Sequence, residues 1–215
     1  MEKRKTGFLN FLVLILVTCT IVSCQKEIDG TSGGGTVIPV PSDQKPKVGT
    51  TWTYRYEWYN TPGGLVNTKM VYHKAKSEET LGGEKWLKIV DIETDTVVYY
   101  LATKNDGLYQ YTNNNSYLLC KYPASVNDTY TTFNTGTVEN FTVRTVDETI
   151  ATGLGDIKLT KYEGVKPSDP RVIDVIWYNK NSWITWRWLY KLFPVAPNPP
   201  VYVLYSRLYI DNIVY

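Results

Sequence analysis

Histidine and cysteine are scarce in this chain, which has one histidine, His73, and three cysteines among 215 residues. Any Ser-His or Cys-His mechanism would have to use His73, and no G-x-S-x-G motif supplies a nucleophile to accompany it. Zinc ligands in their usual spacing are absent, because residues 47–215 contain one histidine and one cysteine, which cannot complete a zinc site. No glycine-rich run is followed by Lys and Ser or Thr, as a phosphate loop requires. We therefore expect no cofactor and no enzymatic activity.

A charge imbalance is also missing. The chain has 23 basic and 21 acidic residues, and residues 1–23 contain three of the basic residues and one of the acidic ones. Residues 24–215 therefore carry 20 of each sign and have no net charge. A neutral chain with mixed charges lacks the basic surface that binds nucleic acid or anionic lipid headgroups. We expect no nucleic-acid partner.

Residues 1–23 have the three parts of a secretory signal peptide. Residues 3–5 are basic, residues 8–17 form an apolar stretch, and Ser23 is a small residue before the expected cleavage point. The apolar stretch is shorter than the ~20 residues that cross a bilayer. The pattern predicts an exported protein from which this segment is removed; cleavage at another position and an uncleaved anchor are the alternatives.

The residues Ile21-Val22-Ser23-Cys24 resemble the lipobox of bacterial lipoproteins, in which aliphatic and small residues precede a modified cysteine. The resemblance implies that Cys24 begins the mature protein and carries a diacylglycerol, with a third acyl chain such as palmitate. Two or three acyl chains anchor a protein to the membrane far more firmly than one, because each buried CH₂ contributes about 0.8 kcal/mol of binding free energy. Gln25-Lys26-Glu27 is similar to the charged export signal of Bacteroidetes surface lipoproteins. It favours the outer membrane and leaves the leaflet open.

A composition change divides the exported chain into two parts. Residues 24–46 comprise Cys24 and a stretch rich in Gly, Ser, Thr and Pro that is predicted to be a flexible linker spanning roughly 25 Å. Residues 47–215 are predicted to form one β-rich domain. Cys120 is the one cysteine of this domain, so no intramolecular disulfide is expected. A small buried side chain is the ordinary role for such a thiol.

Alternating side chains dominate the predicted domain. In TWTYRYEWY, which begins at Thr51, the aromatic residues share one face of a strand and the polar residues share the other. Similar segments follow, separated by turn signals such as Asp106-Gly107. No helical periodicity longer than two turns is present, and the helix-prone residues 75–81 are too few to form a stable helix. We expect ten or eleven strands, and a proline-broken loop at 193–200.

This pattern predicts an all-β antiparallel domain. The candidate architectures are a sheet curled as a half-barrel or a barrel and, alternatively, a two-layer β-sandwich. The segments VGTTWTY and VIWYNKNSW resemble small β-rich bacterial lipoproteins, which open on a G-x-x-W-x-Y strand and carry a W-Y strand before a glycine-containing turn. This chain has Asn181-Ser182-Trp183 where the glycine would be expected.

Aromatic residues are the strongest signal in the domain, with 18 tyrosines and seven tryptophans. Rows of aromatic side chains on a sheet indicate either a core between layers or a groove lined for a sugar or lipid. Buried tyrosines need hydrogen-bond partners, which an open face would obtain from water or ligand. The candidate ligand-binding residues are Trp52, Tyr54, Tyr56, Trp58, Trp186 and Trp188.

Acidic residues offer weaker candidates. Asp91, Glu93 and Asp95 alternate near a strand end, where oxygen ligands can bind calcium, although a solvated turn is the simpler interpretation and we expect no metal. Asp147-Glu148 and Asp174 are carboxylates that a hydrolase could use if the fold brought them together.

Three hypotheses follow. The first is a binding module that takes a glycan or an apolar ligand on its aromatic face. The second is a structural or accessory protein of the cell envelope that contacts another envelope protein through an exposed patch or strand edge. The third is a hydrolase that uses converging carboxylates. In each case the membrane is a partner through the lipid anchor at Cys24.

Overall fold

The computed structural model describes residues 44–60, 63–134, 136–195 and 198–215, so the expected signal peptide, Cys24 and most of the linker lie outside the described residues. Twelve strands account for most of the described chain. They are β1 (Thr51–Tyr59), β2 (Leu65–Leu81), β3 (Glu84–Asp91), β4 (Val97–Lys104), β5 (Gly107–Thr112), β6 (Asn115–Lys121), β7 (Thr129–Asn134), β8 (Thr137–Thr152), β9 (Gly155–Lys166), β10 (Asp169–Asn179), β11 (Trp183–Val195) and β12 (Asn198–Val214).

The part of the chain that the structure describes contains no helix. Hence none of it forms a helix long and apolar enough to cross a membrane.

All twelve strands belong to one antiparallel sheet, in the order β6-β5-β4-β3-β2-β1-β12-β11-β10-β9-β8-β7. Strands β1 to β6 form one meander and β7 to β12 form another, and the ladder between β1 and β12 joins them. The two edge strands, β6 and β7, follow each other in the chain and face each other across an unpaired seam. The sheet is therefore a barrel that is closed except at this seam. The predicted all-β antiparallel barrel is confirmed, with one sheet rather than a sandwich.

Tight turns set the register of the hairpins. Gly82 and Gly83 have φ angles of 60° and 84° between the paired residues Leu81 and Glu84. Asn113-Asn114 has φ angles of 49° and 58° in the hairpin between β5 and β6. Two consecutive positive φ angles are the geometry of a type I′ turn, which matches the twist of the flanking strands.

Side chains rather than backbone bonds bridge the seam. Tyr130 of β7 donates its hydroxyl to the carbonyl of Leu119 in β6 at 2.9 Å. The hydroxyl of Tyr162 donates a hydrogen bond to the carbonyl of Lys121. The rings of Tyr117 and Phe133 lie 5.3 Å apart across the same gap. The backbone carbonyls at the edge of β6 thus accept hydrogen bonds from tyrosine side chains instead of from a neighbouring strand. This satisfies the general requirement that buried polar groups be hydrogen-bonded.

Alternation divides the sheet into an inner and an outer face. The inner core contains Trp52 and Tyr54 of β1, Ile176 and Tyr178 of β10, and residues from most of the other strands. An outer cluster lies on the opposite face of β9, β10 and β11. Its members are Ile157, Leu159, Val175 and Trp177, with Ile150, Leu154, Ile173, Trp186, Trp188 and Tyr190 packed against them.

The β8–β9 hairpin extends beyond its own neighbours in the sheet. A Cβ on its turn residue Gly153 would lie 2.7 Å from the carbonyl oxygen of Asp211 in β12, so only glycine permits this approach. Because β10 and β11 separate β9 from β12 in the sheet, the hairpin tip reaches across both of them. This reach brings Leu154 into contact with both hydrophobic clusters.

The β10–β11 turn closes one end of the barrel. Trp183 stacks on Trp52 with ring centroids 5.6 Å apart. The indole N–H of Trp52 donates a hydrogen bond to the Ser182 carbonyl at 3.1 Å, and the Tyr54 hydroxyl donates one to the Ile184 carbonyl at 3.1 Å. Trp183 adopts a φ of 66°, which costs on the order of 1 kcal/mol or more for a bulky residue and which glycine would adopt freely.

On the outer face, Glu57 strengthens the ladder between β1 and β12. Its side chain is 6 % exposed and accepts hydrogen bonds from Arg207 at 2.5 Å, from Tyr209 at 2.7 Å and from Tyr59. Burial alone would raise the carboxyl pKa, but the hydrogen bonds from Arg207, Tyr59 and Tyr209 and the charge of Arg207 outweigh it and lower the pKa to about 2. The ionised carboxylate therefore stabilises the fold.

This lowered pKa predicts acid sensitivity with a definite sign. The contribution of Glu57 is complete above its unfolded pKa of 4.5 and is lost as pH falls toward 2. Replacing Glu57 with Gln should lower the free energy of unfolding at pH 6 by on the order of 2 kcal/mol and flatten its decline below pH 4.5.

Urea unfolding at pH values from 2 to 6 measures this effect. Glu79→Gln is the control, because its ion pair with Lys88 is more exposed and should contribute less. An unchanged pH profile in Glu57→Gln would contradict the assigned role.

Candidate binding site

A cavity opens inside the barrel at the end opposite the Trp52–Trp183 contact. It encloses about 400 Å³, within the range of sites that hold small molecules. We call it the lumen cavity. Its lining residues are Tyr56, Trp58, Lys69, Val71, His73, Tyr99, Arg187, Leu189, Ser206 and Leu208. A smaller space of about 30 Å³ lies between the lumen cavity and the closed end and shares His73, Tyr99, Arg187 and Leu208 with it.

Strand register explains why these side chains meet. Tyr56 of β1 pairs with Lys69 of β2 on one side and with Leu208 of β12 on the other. Leu208 in turn pairs with Arg187 of β11. Directly opposed residues in an antiparallel sheet point to the same face, so these four side chains all face inward. The lumen cavity therefore lies directly on the ladder that joins the two meanders.

Aromatic rings form one wall of the lumen cavity. Tyr56 and Trp58 pack edge to face, with ring centroids 4.1 Å apart. The ring centroids of Tyr99 and His73 lie 6.4 Å apart. Within the described residues, no protein group hydrogen-bonds to the Tyr56 hydroxyl, the Tyr99 hydroxyl or the Trp58 indole N–H. These polar atoms remain open to water or to a ligand.

Arg187 supplies a buried positive charge. Its Nε donates to Oδ1 of Asp174 at 3.1 Å and its Nη2 donates to Oδ2 at 2.5 Å, so the two side chains form a bidentate ion pair. The exposed fractions are 15 % for the Arg187 side chain and 2 % for that of Asp174. Burial acts to lower the guanidinium pKa, and the charge and hydrogen bonds of Asp174 outweigh it and raise the pKa. Arg187 is therefore fixed in place and permanently charged.

His73 is the one titratable imidazole of the cavity wall. Burial lowers its pKa, and the charge of Asp91 opposes this shift only in part. The imidazole is therefore neutral at pH 7, because its ordinary pKa of about 6.5 already lies below that value. In that state it offers one donor and one acceptor.

The predicted aromatic rows separate onto opposite faces of the sheet. Trp52 and Tyr54 lie in the inner core at the closed end, whereas Tyr56 and Trp58 line the lumen cavity. The remaining two predicted residues, Trp186 and Trp188, lie in the outer cluster, because Arg187 between them faces inward.

In the outer cluster the rings of Trp186 and Trp188 stack 5.7 Å apart, and both also contact Trp177. Their indole nitrogens are covered and have no hydrogen-bond partner among the described residues.

Four other sequence candidates are accounted for locally. Asp91 accepts hydrogen bonds from the backbone N–H groups of Glu93 and Thr94, and Asp95 pairs with Lys76. The described residues contain no group of three or more His, Cys, Asp or Glu side chains placed to hold a metal ion. Cys120 is fully buried, as predicted, and burial raises the pKa of its thiol.

The carboxylates considered for hydrolysis have separate surroundings. Asp147 and Glu148 are exposed on β8, where Glu148 accepts a hydrogen bond from Thr145. Asp174 is buried beside Arg187 and is not among the lining residues of the lumen cavity.

Several lining residues were not singled out from the sequence, among them Lys69, Tyr99 and Arg187. The sequence signal that could have identified Arg187 is its position between two tryptophans, in Trp186-Arg187-Trp188. An arginine between two large apolar residues implies that one face of the strand is polar and the other is apolar. Which of the two faces lies inside the barrel depends on pairing with β10 and β12.

The barrel holds a cavity lined by aromatic rings, aliphatic side chains and the basic side chains of Lys69 and Arg187. Comparisons with protein-family models, curated proteins and solved structures found no match for this chain.

The buried ion pair yields a stability prediction. Replacing Arg187 with Met removes the cation that pairs with the buried Asp174 carboxylate and should cost about 3–5 kcal/mol in the free energy of unfolding. Adding Asp174→Leu removes the buried carboxylate as well and should recover most of this loss.

Denaturant unfolding of both single variants and the double variant measures the coupling. Arg144→Met, which breaks the more exposed pair with Glu163, is the control and should cost less than about 1 kcal/mol. A double variant as unstable as Arg187→Met would contradict the interpretation.

Proposed function

We propose that this protein is a lipoprotein of the bacterial outer membrane whose barrel binds a small glycan or an apolar ligand in the lumen cavity. The observation that carries the proposal is the cavity of about 400 Å³ beside Tyr56, Trp58 and Tyr99, whose outer polar atoms have no partner among the described residues. Flat aromatic faces with free polar atoms suit sugar rings and ring-containing apolar molecules.

Aliphatic side chains support the same proposal from the opposite walls. Val71, Leu189 and Leu208 line the cavity together with the aromatic rings. The apolar part of a ligand bound there would be removed from water on all sides. Each Å² of apolar surface buried in this way contributes about 25 cal/mol to the binding free energy. Binding and release in this proposal require no chemical step.

The membrane location rests on the sequence. Ile21-Val22-Ser23-Cys24 supports acylation at Cys24, and Gln25-Lys26-Glu27 supports the outer membrane. A linker over residues 25–46 would hold the barrel away from the lipid headgroups, where its open end can meet ligands in solution.

A second candidate function is favoured by the outer cluster. Trp186, Trp188 and Tyr190 are half-buried on the outer face, and two of their polar atoms lack partners within the described chain. Such a surface suits an envelope protein partner, because aromatic residues are enriched in the cores of protein interfaces. In this alternative the barrel is an accessory protein and the lumen cavity holds only water.

Two tryptophans on opposite faces distinguish these functions. Naphthalene-2-acetamide represents neutral apolar ligands and cellobiose represents neutral glycans; each is titrated calorimetrically into the lipidated protein in phosphatidylcholine nanodiscs. Trp58→Ala should weaken binding of the recognised probe about tenfold, equivalent to about 1.4 kcal/mol. Trp188→Ala, the matched control, should leave the dissociation constant unchanged.

Loss of binding in Trp188→Ala alone would move the site to the outer face. No binding of these neutral probes or of naphthalene-2-acetate by the unsubstituted protein would overturn the proposed ligand-binding function.

Two cysteine variants, one at the proposed lipidation site and one as its control, test the proposed acylation. Cys24→Ser should abolish incorporation of labelled palmitate and leave the protein unprocessed, because the thiol that accepts the lipid is gone. Cys19→Ser, five residues earlier in the predicted signal peptide, should retain both labelling and processing. Labelled palmitate in Cys24→Ser, or a mature amino terminus at another residue, would contradict the assignment.

A further inference from the structure

The lumen cavity has a one-sided charge. Its lining residues include the basic side chains of Lys69 and Arg187 and no carboxylate. Asp174 lies behind Arg187 and neutralises it, whereas Lys69 forms no ion pair with any residue that the structure describes. The cavity wall therefore presents an uncompensated positive charge next to a largely apolar surface.

The guanidinium group of Arg187 is only partly used. A guanidinium has five N–H donors, and two of its nitrogens each bond one oxygen of Asp174. The remaining N–H groups have no other hydrogen-bond partner in the described chain, and Arg187 borders both the larger and the smaller space. Asp174 thus holds a rigid set of donors toward the cavity, an arrangement that suits a planar acid group.

We propose, on the basis of the proposed function, that the ligand of the lumen cavity is an organic acid. Arg187 and Lys69 bind its carboxylate, and Tyr56, Trp58 and Leu208 enclose its ring or alkyl body. Lys69 is exposed at the mouth and attracts the acid, whereas Arg187 lies deeper and fixes its orientation. An acidic sugar and a short fatty or aromatic acid share this chemistry.

The donors around the cavity agree with an acid rather than a neutral molecule. Tyr99 and Ser206 add hydroxyl groups to the wall, and both can donate to a carboxylate oxygen. A hydrogen bond to a charged group contributes more than one between neutral groups, so the acid should gain over its neutral analogue at this position.

The test compares two probes that differ only in charge. Naphthalene-2-acetate and naphthalene-2-acetamide have the same ring and nearly the same shape, and both are titrated calorimetrically into the lipidated protein in zwitterionic phosphatidylcholine nanodiscs. Empty nanodiscs supply the background. The acid should bind at least tenfold more tightly than the amide, and its advantage should shrink with added salt.

Charge removal on opposite faces of β2 locates the effect. Lys69→Met should reduce the preference for the acid over the amide severalfold. Lys74→Met removes an equal charge from an exposed position beside the inward-facing His73 and should leave the preference intact. The double variant Arg187→Met with Asp174→Leu removes both members of the ion pair, and it should also reduce the preference severalfold, because the guanidinium donors are lost while Lys69 remains.

Each failure has a distinct meaning. Equal affinity for acid and amide, or a preference that Lys69→Met does not change, would overturn the assignment of an organic acid and leave the proposed ligand-binding function in place. Absence of binding by both probes and by cellobiose would overturn the proposed function as well.

Discussion

The ladder between β1 and β12 is the interaction on which the rest of this structure depends. Every other pairing joins strands that follow each other in the chain, and each could form within one six-stranded meander. The β1–β12 ladder joins the meanders, because the described parts of β6 and β7 form no ladder with each other and are bridged by side chains such as Tyr130. Glu57 and its three donors on the outer face reinforce this ladder, and the lumen cavity lies on its inner face.

Barrel width explains the heavy use of aromatic residues. Barrel diameter increases with strand number, and about eight strands already leave an interior that side chains just fill. Twelve strands enclose more space, which large side chains such as Trp52 and Trp183 occupy at the closed end. The space left at the open end is the lumen cavity. The Asp174–Arg187 pair keeps this region polar, since a buried arginine requires a paired charge.

Much of the fold could be predicted from the sequence. Alternation identified the strands, and the inward face of β1, with Trp52, Tyr54, Tyr56 and Trp58, was grouped correctly. Strand ends were less accessible, because pairing rather than local composition determines them. The predicted loop at 193–200 is largely strand, since β11 continues to Val195 and β12 begins at Asn198. Residues 75–81 lie in β2, which pairs with β3 along this length.

The candidate site could be predicted only in part. Tyr56 and Trp58 were identified because an aromatic row is visible in a single strand. Lys69, Tyr99 and Arg187 belong to three other strands, and no local pattern indicates that the curl of the sheet brings them together. The row containing Trp186 and Trp188 has the same alternation as that of β1, but register places it on the opposite face.

The central claim is that the lumen cavity holds a small ligand. Native mass spectrometry of the full-length protein, purified gently from its own cells, would detect such a ligand. We expect a bound small molecule in addition to the protein chain, and we expect its loss in Leu208→Trp, which fills the cavity. The same mass for the unsubstituted protein and the Leu208→Trp variant, after correction for the substitution, would contradict it.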